Sequence, residues 1–303
     1  MKLLAAMVIS VFLIAGCVQQ VVYVCPDGST ASSMEECQNT INEEVAISDS
    51  VNVEKVHHYN ASSMESAIFD LVNENRASYG LKPLLWNDDI ALLARAKSND
   101  MAERNYFNHV NPDGETFSNI LKKNGIFYLT ASEDIALFSN FTNEDLPSEV
   151  VAGWMNSPAH RVPIIDMDEI YTDAAVGVNC SKETCYFTMQ FLNLEKRIST
   201  KLKPRYGTFI YIYDPALEYD DDVSVALDIN STRTTDAYVV DSKSTFDLFM
   251  QGYPIYFIKE FKHTSYVSTT LVAEKGYGII LYADPDWVYS DADVNVRIRY
   301  NTS

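Results

Sequence analysis

The chain has 303 residues, 47% hydrophobic and 21% charged, with a formal net charge of −19. That length allows about two domains with real cores, and the apolar content excludes a disordered chain. The acidic balance opposes nucleic acid and phosphate-rich surfaces as partners, and no phosphate-cradling or dinucleotide fingerprint interrupts it.

The first residues read as an export signal. Lys2 precedes the apolar run Leu3–Ala15, a charged region followed by a short hydrophobic one. The run falls short of the ~20 residues that span a bilayer. It ends in Leu13-Ile14-Ala15-Gly16-Cys17, which looks like a bacterial lipobox. On that reading residues 1–16 are removed, and Cys17 carries the lipid that anchors the protein to the outer face of the cell membrane. An ordinary signal peptide or an uncleaved anchor competes with it, and each version exports the protein. Setting Cys17 aside leaves Cys25, Cys37, Cys180 and Cys185, two close pairs with no orphan. Cys25 and Cys37 bracket the turn signal Pro26-Asp27-Gly28, and Cys180 and Cys185 flank a hairpin tip. Closing the first loop is worth roughly 3 kcal/mol on the chain-entropy model. Neither pair has the spacing of a zinc site, so two disulfides in an oxidising compartment are expected. Residues 17–63 hold the lipid site, the small disulfide loop and an acidic tether. His57 and His58 in that tether read as solvated.

Residues 64–193 read as the first folded domain. Ser62 and Glu65 fit a capping box ahead of Ile68, Leu71 and Val72, and Tyr79-Gly80 supplies the stop. Asn87 or Asp88 caps a second helix with Ile90, Leu93, Ala94 and Met101 inward. Phe117, Ile120 and Leu121 mark a third, stopped at Asn124-Gly125. Pro147 fits the first turn of a fourth, whose face is Val150, Val151, Trp154 and Met155. Pro158 is expected to end it and so deliver His160 onto a sharp turn. Strands are expected at Ile135–Phe138, Ala174–Cys180 and Cys185–Phe191. Helices on both sides of a small antiparallel sheet make an α-β-α sandwich.

Leu194–Arg205 carries five basic residues and one acid, an abrupt change in an acidic chain. We read residues 194–205 as a basic linker. Beyond it, over 206–303, the period becomes two: Val223, Val225, Leu227 and Ile229 alternate with polar residues, as do Val294, Val296, Ile298 and Tyr300. Phe209–Tyr213, Ile255–Ile258, Ser268–Val272 and Tyr277–Tyr282 are further strand candidates. Short strands between turn signals predict an all-β antiparallel sandwich, making the whole chain α+β. Asp220-Asp221-Asp222 and the Asp284/Asp286 pair lack the spacing of a calcium loop and read as solvated turns. Asn60, Asn140, Asn179, Asn230 and Asn301 each open an N-x-S/T sequon, in keeping with an exported protein.

Several motifs stand in a telling order. Leu71-Val-Asn73-Glu-Asn75-Arg76 comes first, then Phe107-Asn-His109-Val-Asn-Pro-Asp-Gly114 and Ser132-Glu133-Asp134-Ile135-Ala136. Trp154-Met-Asn-Ser-Pro-Ala-His160-Arg161, Val176-Gly177-Val178 and Tyr186-Phe-Thr-Met-Gln190-Phe191 follow. In this order the set resembles the CAP family, also called SCP-like or pathogenesis-related, in its bacterial and archaeal branch. Ser132-Glu133-Asp134 departs from the usual Gly-Glu-Asn by an added side chain and an added charge. The resemblance implies an α-β-α sandwich with a cleft lined by histidine and glutamate, carried here onto His109, Glu133 and His160. Two imidazoles and a carboxylate suffice for a divalent, zinc-like metal with an open position. The functional expectation is therefore a surface-anchored extracellular binding module for a metal, small-molecule, lipid or peptide ligand. A hydrolase is the alternative. There His160 or Glu133 is the general base, and Ser132, Ser157 or a metal-bound water is the nucleophile. In a third reading the three residues form a hydrogen-bonded knot that fixes loops.

Overall fold

The computed structural model describes residues 23–24, 30–31, 60–139, 145–181, 184–283 and 291–300. Cys17, Cys25, Cys37, the lipobox, the tether as far as Tyr59 and Asp284/Asp286 lie outside the described residues, and the expected end of the tether, 61–63, is helical. The chain divides into two units, Met1–His58 and Tyr59–Ser303. In the first, β1 (Tyr23–Val24) and β2 (Thr30–Ala31) pair antiparallel across the Pro26-Asp27-Gly28 signal.

The second unit begins with α1 (Ala61–Ser78), β3 (Leu85–Trp86), α2 (Asp88–Glu103) and α3 (Phe117–Lys123). Then come β4 (Thr130–Ser139), α4 (Leu146–Asn156), α5 (Pro158–Ile164), β5 (Asp173–Ser181) and β6 (Thr184–Asn193). The caps of α2 and α3 follow local rules. Asn87 accepts the Ile90 N–H, and Thr116 with Asn119 forms a reciprocal box. The cap of α1 does not sit where Ser62 and Glu65 suggested. Asn60 accepts from the Ser63 N–H at 3.1 Å. Glu65 is buried instead, holding Arg95 of α2 at 2.7 Å and accepting the Val178 N–H of β5 at 3.2 Å. That backbone donor lies past the end of β3, where β5 has no neighbouring strand on that side.

The sheet order is β3-β5-β6-β4, antiparallel except for the short parallel pairing of β3 with β5. Alternation sends Val176, Val178, Phe187, Met189 and Phe191 toward α1, α4 and α5, where Ile68, Val150, Trp154 and Ile164 are buried. The opposite face meets α2 and α3 through Ala175, Leu192, Ile135 and Tyr186. Gly177 lets α2 lie directly on the sheet, since a Cβ there would sit 2.1 Å from the Ala94 carbonyl carbon. The Cys180–Cys185 disulfide forms across the β5–β6 hairpin, as expected.

A second sheet-rich region follows, with β7 (Glu195–Leu202), β8 (Gly207–Tyr211), β9 (Val223–Val240), α6 (Lys243–Met250), β10 (Lys259–Ala273), β11 (Gly278–Ala283) and β12 (Ala292–Tyr300). The segment expected as a basic linker is strand β7, paired along its length with β12. Arg197 and Lys201 alternate with Ile198, Thr200 and Leu202 and occupy the outer face, while Lys196 shares the inner side and donates to the Tyr211 carbonyl. Ile255–Ile258 is not a strand; β10 starts just after it. The sheet runs β7-β12-β9-β11-β8, with β10 on the other edge of β9. β9 is long enough for its first half to pair with β12 and its second with β11. Its inward residues Val223 through Val239 share one core with Val294, Ile298, Ile279 and Leu281, so a single sheet curls round that core. Helix α6 covers the outer face of the second half, with Phe246 and Phe249 against Tyr238 and Ile280.

Both regions belong to the same compact unit. Arg299 of β12 pairs with Asp173 of β5 at 2.7 Å. Phe127, which leads from α3 into β4, is buried in the second core beside Tyr213, Tyr219 and Tyr300. Among the described residues no helix is long and apolar enough to cross a membrane.

Candidate functional site

The loop after α2 is held by its own polar side chains. Asn108 accepts the Val110 N–H at 2.9 Å, and Asn111 accepts the N–H groups of Asp113 and Glu115 at 3.0 and 2.8 Å. Gly114 takes the left-handed backbone (φ 83) that closes the turn. From α2, Lys97 donates to the carbonyls of Asn108 and His109 at 2.7 and 3.1 Å. Burial lowers the Lys97 pKa, and the nearby Glu133 and Asp100 charges oppose that shift. The result is a histidine set on a pinned loop rather than a freely moving one.

His109 Nδ1 lies 3.0 Å from Glu133 Oε1. Gln190, the cross-strand partner of Glu133, donates through Nε2 to Glu133 Oε2 at 2.9 Å. The Glu133 side chain is 5% exposed and that of His109 52%. A buried carboxylate with this geometry orients an imidazole by accepting its Nδ1 proton and leaves Nε2 outward. The cleft beside them has a volume of ≈ 280 Å³. One wall is apolar, made by Leu93, Ala96, Phe117 and Ile120, and the other carries Lys97, Tyr106, His109, Glu133 and Gln190. Tyr106 donates to Asp100 at 2.5 Å, and burial followed by that bond raises its pKa, so it remains a phenol. At the base, Gln190 Oε1 is buried with no hydrogen-bond partner. Gln190 interrupts the apolar run Tyr186–Phe191 with an amide, which is the signal in the sequence for a polar role at this face.

Residues 69–191 match the Cysteine-rich secretory protein family, CAP. The chain carries a CAP domain. It is 32% identical over 167 residues to the uncharacterized protein YkwD of Bacillus subtilis (strain 168), spanning 55% of this chain and 62% of that one. With the uncharacterized membrane protein YlbC of the same organism it shares 34% over 131 residues, 43% of this chain and 35% of the relative. The chain thus spans less than two thirds of either relative. Similar solved structures include an extracellular SCP-domain protein from Bacillus anthracis str. Ames (27% identity, 48% and 45% of the two chains, TM-score 0.38). An outer surface protein from Borrelia burgdorferi is another (19%, 45% and 97%, TM-score 0.38).

Within the CAP domain, the three residues expected to converge do so only in part. Pro158 does not end the helical stretch: it interrupts it and then opens α5, since a missing N–H costs nothing at a first turn. Ser157, held extended before the proline, separates the two helices. His160 therefore lies on the first turn of α5, with Nδ1 2.9 Å from Ser157 Oγ. Burial, and then repulsion from His109, lower its pKa. His160 does not line the cleft. Among the described residues no three His, Cys, Asp or Glu side chains are grouped to hold a metal ion. Glu133 is hydrogen-bonded by His109 and Gln190 and His160 faces Ser157, so the described side chains of His109, Glu133 and His160 are not preassembled as a metal site. Ser132 points away from Glu133, toward Tyr171, as strand alternation requires. Asp134 shares that opposite face. It is buried with Oδ2 unpartnered, and burial, then the Glu133 charge, push its pKa up to about 8.

Proposed function

We propose that the protein is an exported, surface-anchored binding module whose CAP cleft takes a small ligand with an apolar body and an N–H or O–H donor, of peptide or lipid type. The observation behind this reading is the cleft lining, in which apolar Leu93, Ala96, Phe117 and Ile120 share one opening with His109, Glu133 and Gln190. Gln190 Oε1 is buried and unpartnered, which costs about 1–3 kcal/mol; a donating ligand recovers that cost once the amide turns toward the cleft. His109 Nε2 stands at the rim as a second polar contact.

Calorimetry of the purified chain with capped hydrophobic dipeptide amides, fatty-acid ethanolamides and zinc chloride tests the reading. Saturable binding by one organic class is expected, weakened about tenfold in Gln190→Met, the loss of one hydrogen bond. No organic binding, or binding indifferent to Gln190→Met, refutes it. Micromolar zinc binding abolished by His160→Ala would restore the metal set. A hydrolase remains the second reading because Ser157 and His160 form a nucleophile–base contact. Its signature would be ester turnover lost in Ser157→Ala.

A further inference from the structure

We propose that the outer face of the second sheet, around Tyr266 and Asn295, is a binding site for a neutral oligosaccharide. A depression of ≈ 380 Å³ lies there, across β7, β12, β9 and β10 and apart from the CAP cleft. Register aligns two polar rows across those four strands. Ser199, Asn295, Asn230 and Tyr266 stand opposite one another, and beside them Arg197, Arg297, Asp228 and Ser268 do the same. At the spacing of neighbouring strands each row is about 14 Å long, the length of two to three linked pyranoses.

The chemistry suits hydroxyl groups. Asn295 Oδ1 accepts from Ser199 at 2.6 Å, which leaves its NH2 group to donate outward. The Asn230 amide has no hydrogen-bond partner among the described residues, so it offers both a donor and an acceptor. Asp228 accepts from Ser268 at 2.7 Å and faces Arg297 at 3.6 Å. Each sugar hydroxyl both donates and accepts, and planar amide, carboxylate and guanidinium groups can meet two neighbouring hydroxyls at once.

Tyr266 supplies the apolar half of the site. It is 58% exposed, yet its backbone is fixed by Thr264, whose hydroxyl accepts the Tyr266 N–H and donates to the Tyr266 carbonyl. The pairing register shifts on either side of Thr264, the kind of irregularity that re-aims a side chain. An aromatic ring held over a polar row can stack on the C–H face of a pyranose.

Charge decides between neutral and anionic sugars. Arg197 and Arg297 are the cations lining the depression, and Glu195 and Asp228 already pair them. The face is therefore close to neutral within an acidic protein, so nothing in it favours a polyanion.

The test is calorimetry on the full chain, made in a host that does not N-glycosylate. The probes are cellotetraose, mannotetraose, tetra-N-acetylchitotetraose and tetragalacturonate. One neutral tetrasaccharide should bind with an affinity unchanged between 50 and 500 mM salt. Tyr266→Ala and Asn295→Ala should each weaken it about tenfold without changing the unfolding midpoint. Binding unaffected by both substitutions overturns the proposal, as does failure of all the neutral probes at millimolar concentration. Salt-sensitive binding of tetragalacturonate alone also overturns it. So does a glycan attached to Asn230 in protein from its natural host, because that sugar would cover the row.

Discussion

Asp134→Asn should stabilise the protein at neutral and alkaline pH and leave it nearly unchanged near pH 4. The Asp134 carboxyl is buried with an unpartnered oxygen, and its pKa stands at about 8 in the folded protein against an ordinary 3.8. Between those values the unfolded chain gives up the proton while the folded one keeps it. Folded stability therefore falls as pH rises through the window, by about 1.4 kcal/mol per pH unit, and levels off above the folded value. The whole window of about four pH units amounts to roughly 6 kcal/mol, large against a typical total of about 5–15 kcal/mol. Asparagine keeps the shape and cannot ionise, so the variant should lack this component. Urea unfolding at pH 4, 6, 8 and 9 can be followed through Trp154, whose indole donates to the adjacent Ile135 carbonyl at 3.2 Å. Because the two proteins share every other titrating group, their difference isolates Asp134. Curves that run parallel from pH 4 to 8 would mean that Asp134 is ionised in the folded protein, and the burial argument would fail.

Gly177→Ala should cost at least about 3 kcal/mol, because the new Cβ meets the backbone of Ala94 and Arg95 rather than a side chain able to swing aside. Urea unfolding reads it directly, and a loss under about 1 kcal/mol would mean that α2 shifts easily. Cys17→Ser should release the protein from membranes or leave its precursor uncleaved, because lipid would have no attachment point. Fractionation checks this, and unchanged processing with membrane retention counts against a lipid anchor.

Local signals foretold local structure well, and long-range partners account for most of what they missed. Asn87 and Thr116 cap their helices because a cap needs only the next three residues. Glu65 matched the same pattern and serves another purpose, since Arg95 and the Val178 N–H lie far along the chain and outbid a local cap. Pro158 is ambiguous by nature: the same missing N–H that interrupts one helix suits the start of another. In β7 the run of basic side chains masked a period of two. Helix α6 was missed because its eight residues are too few for a clear period and its apolar face is made by contact with Tyr238 and Ile280. At the site, His109 and Glu133 were legible as motif residues, and the structure pairs them. The part played by Gln190 needed the β4–β6 register, which pairs it with Glu133.

The position of β12 bears on how such a chain is made. It follows every other strand of its sheet in sequence, yet it lies between β7 and β9, and its Arg299 reaches across to Asp173. Strand β7, synthesised some ninety residues earlier, has no neighbour until β12 arrives. The second region therefore cannot close until β12 has emerged, and pairings this distant in sequence form slowly. A polypeptide threaded through a membrane would gain from that delay, because a sheet still lacking its inner strand offers little resistance to being drawn through. Once β12 is in place, one strand completes the sheet and ties it to the CAP domain in the same event.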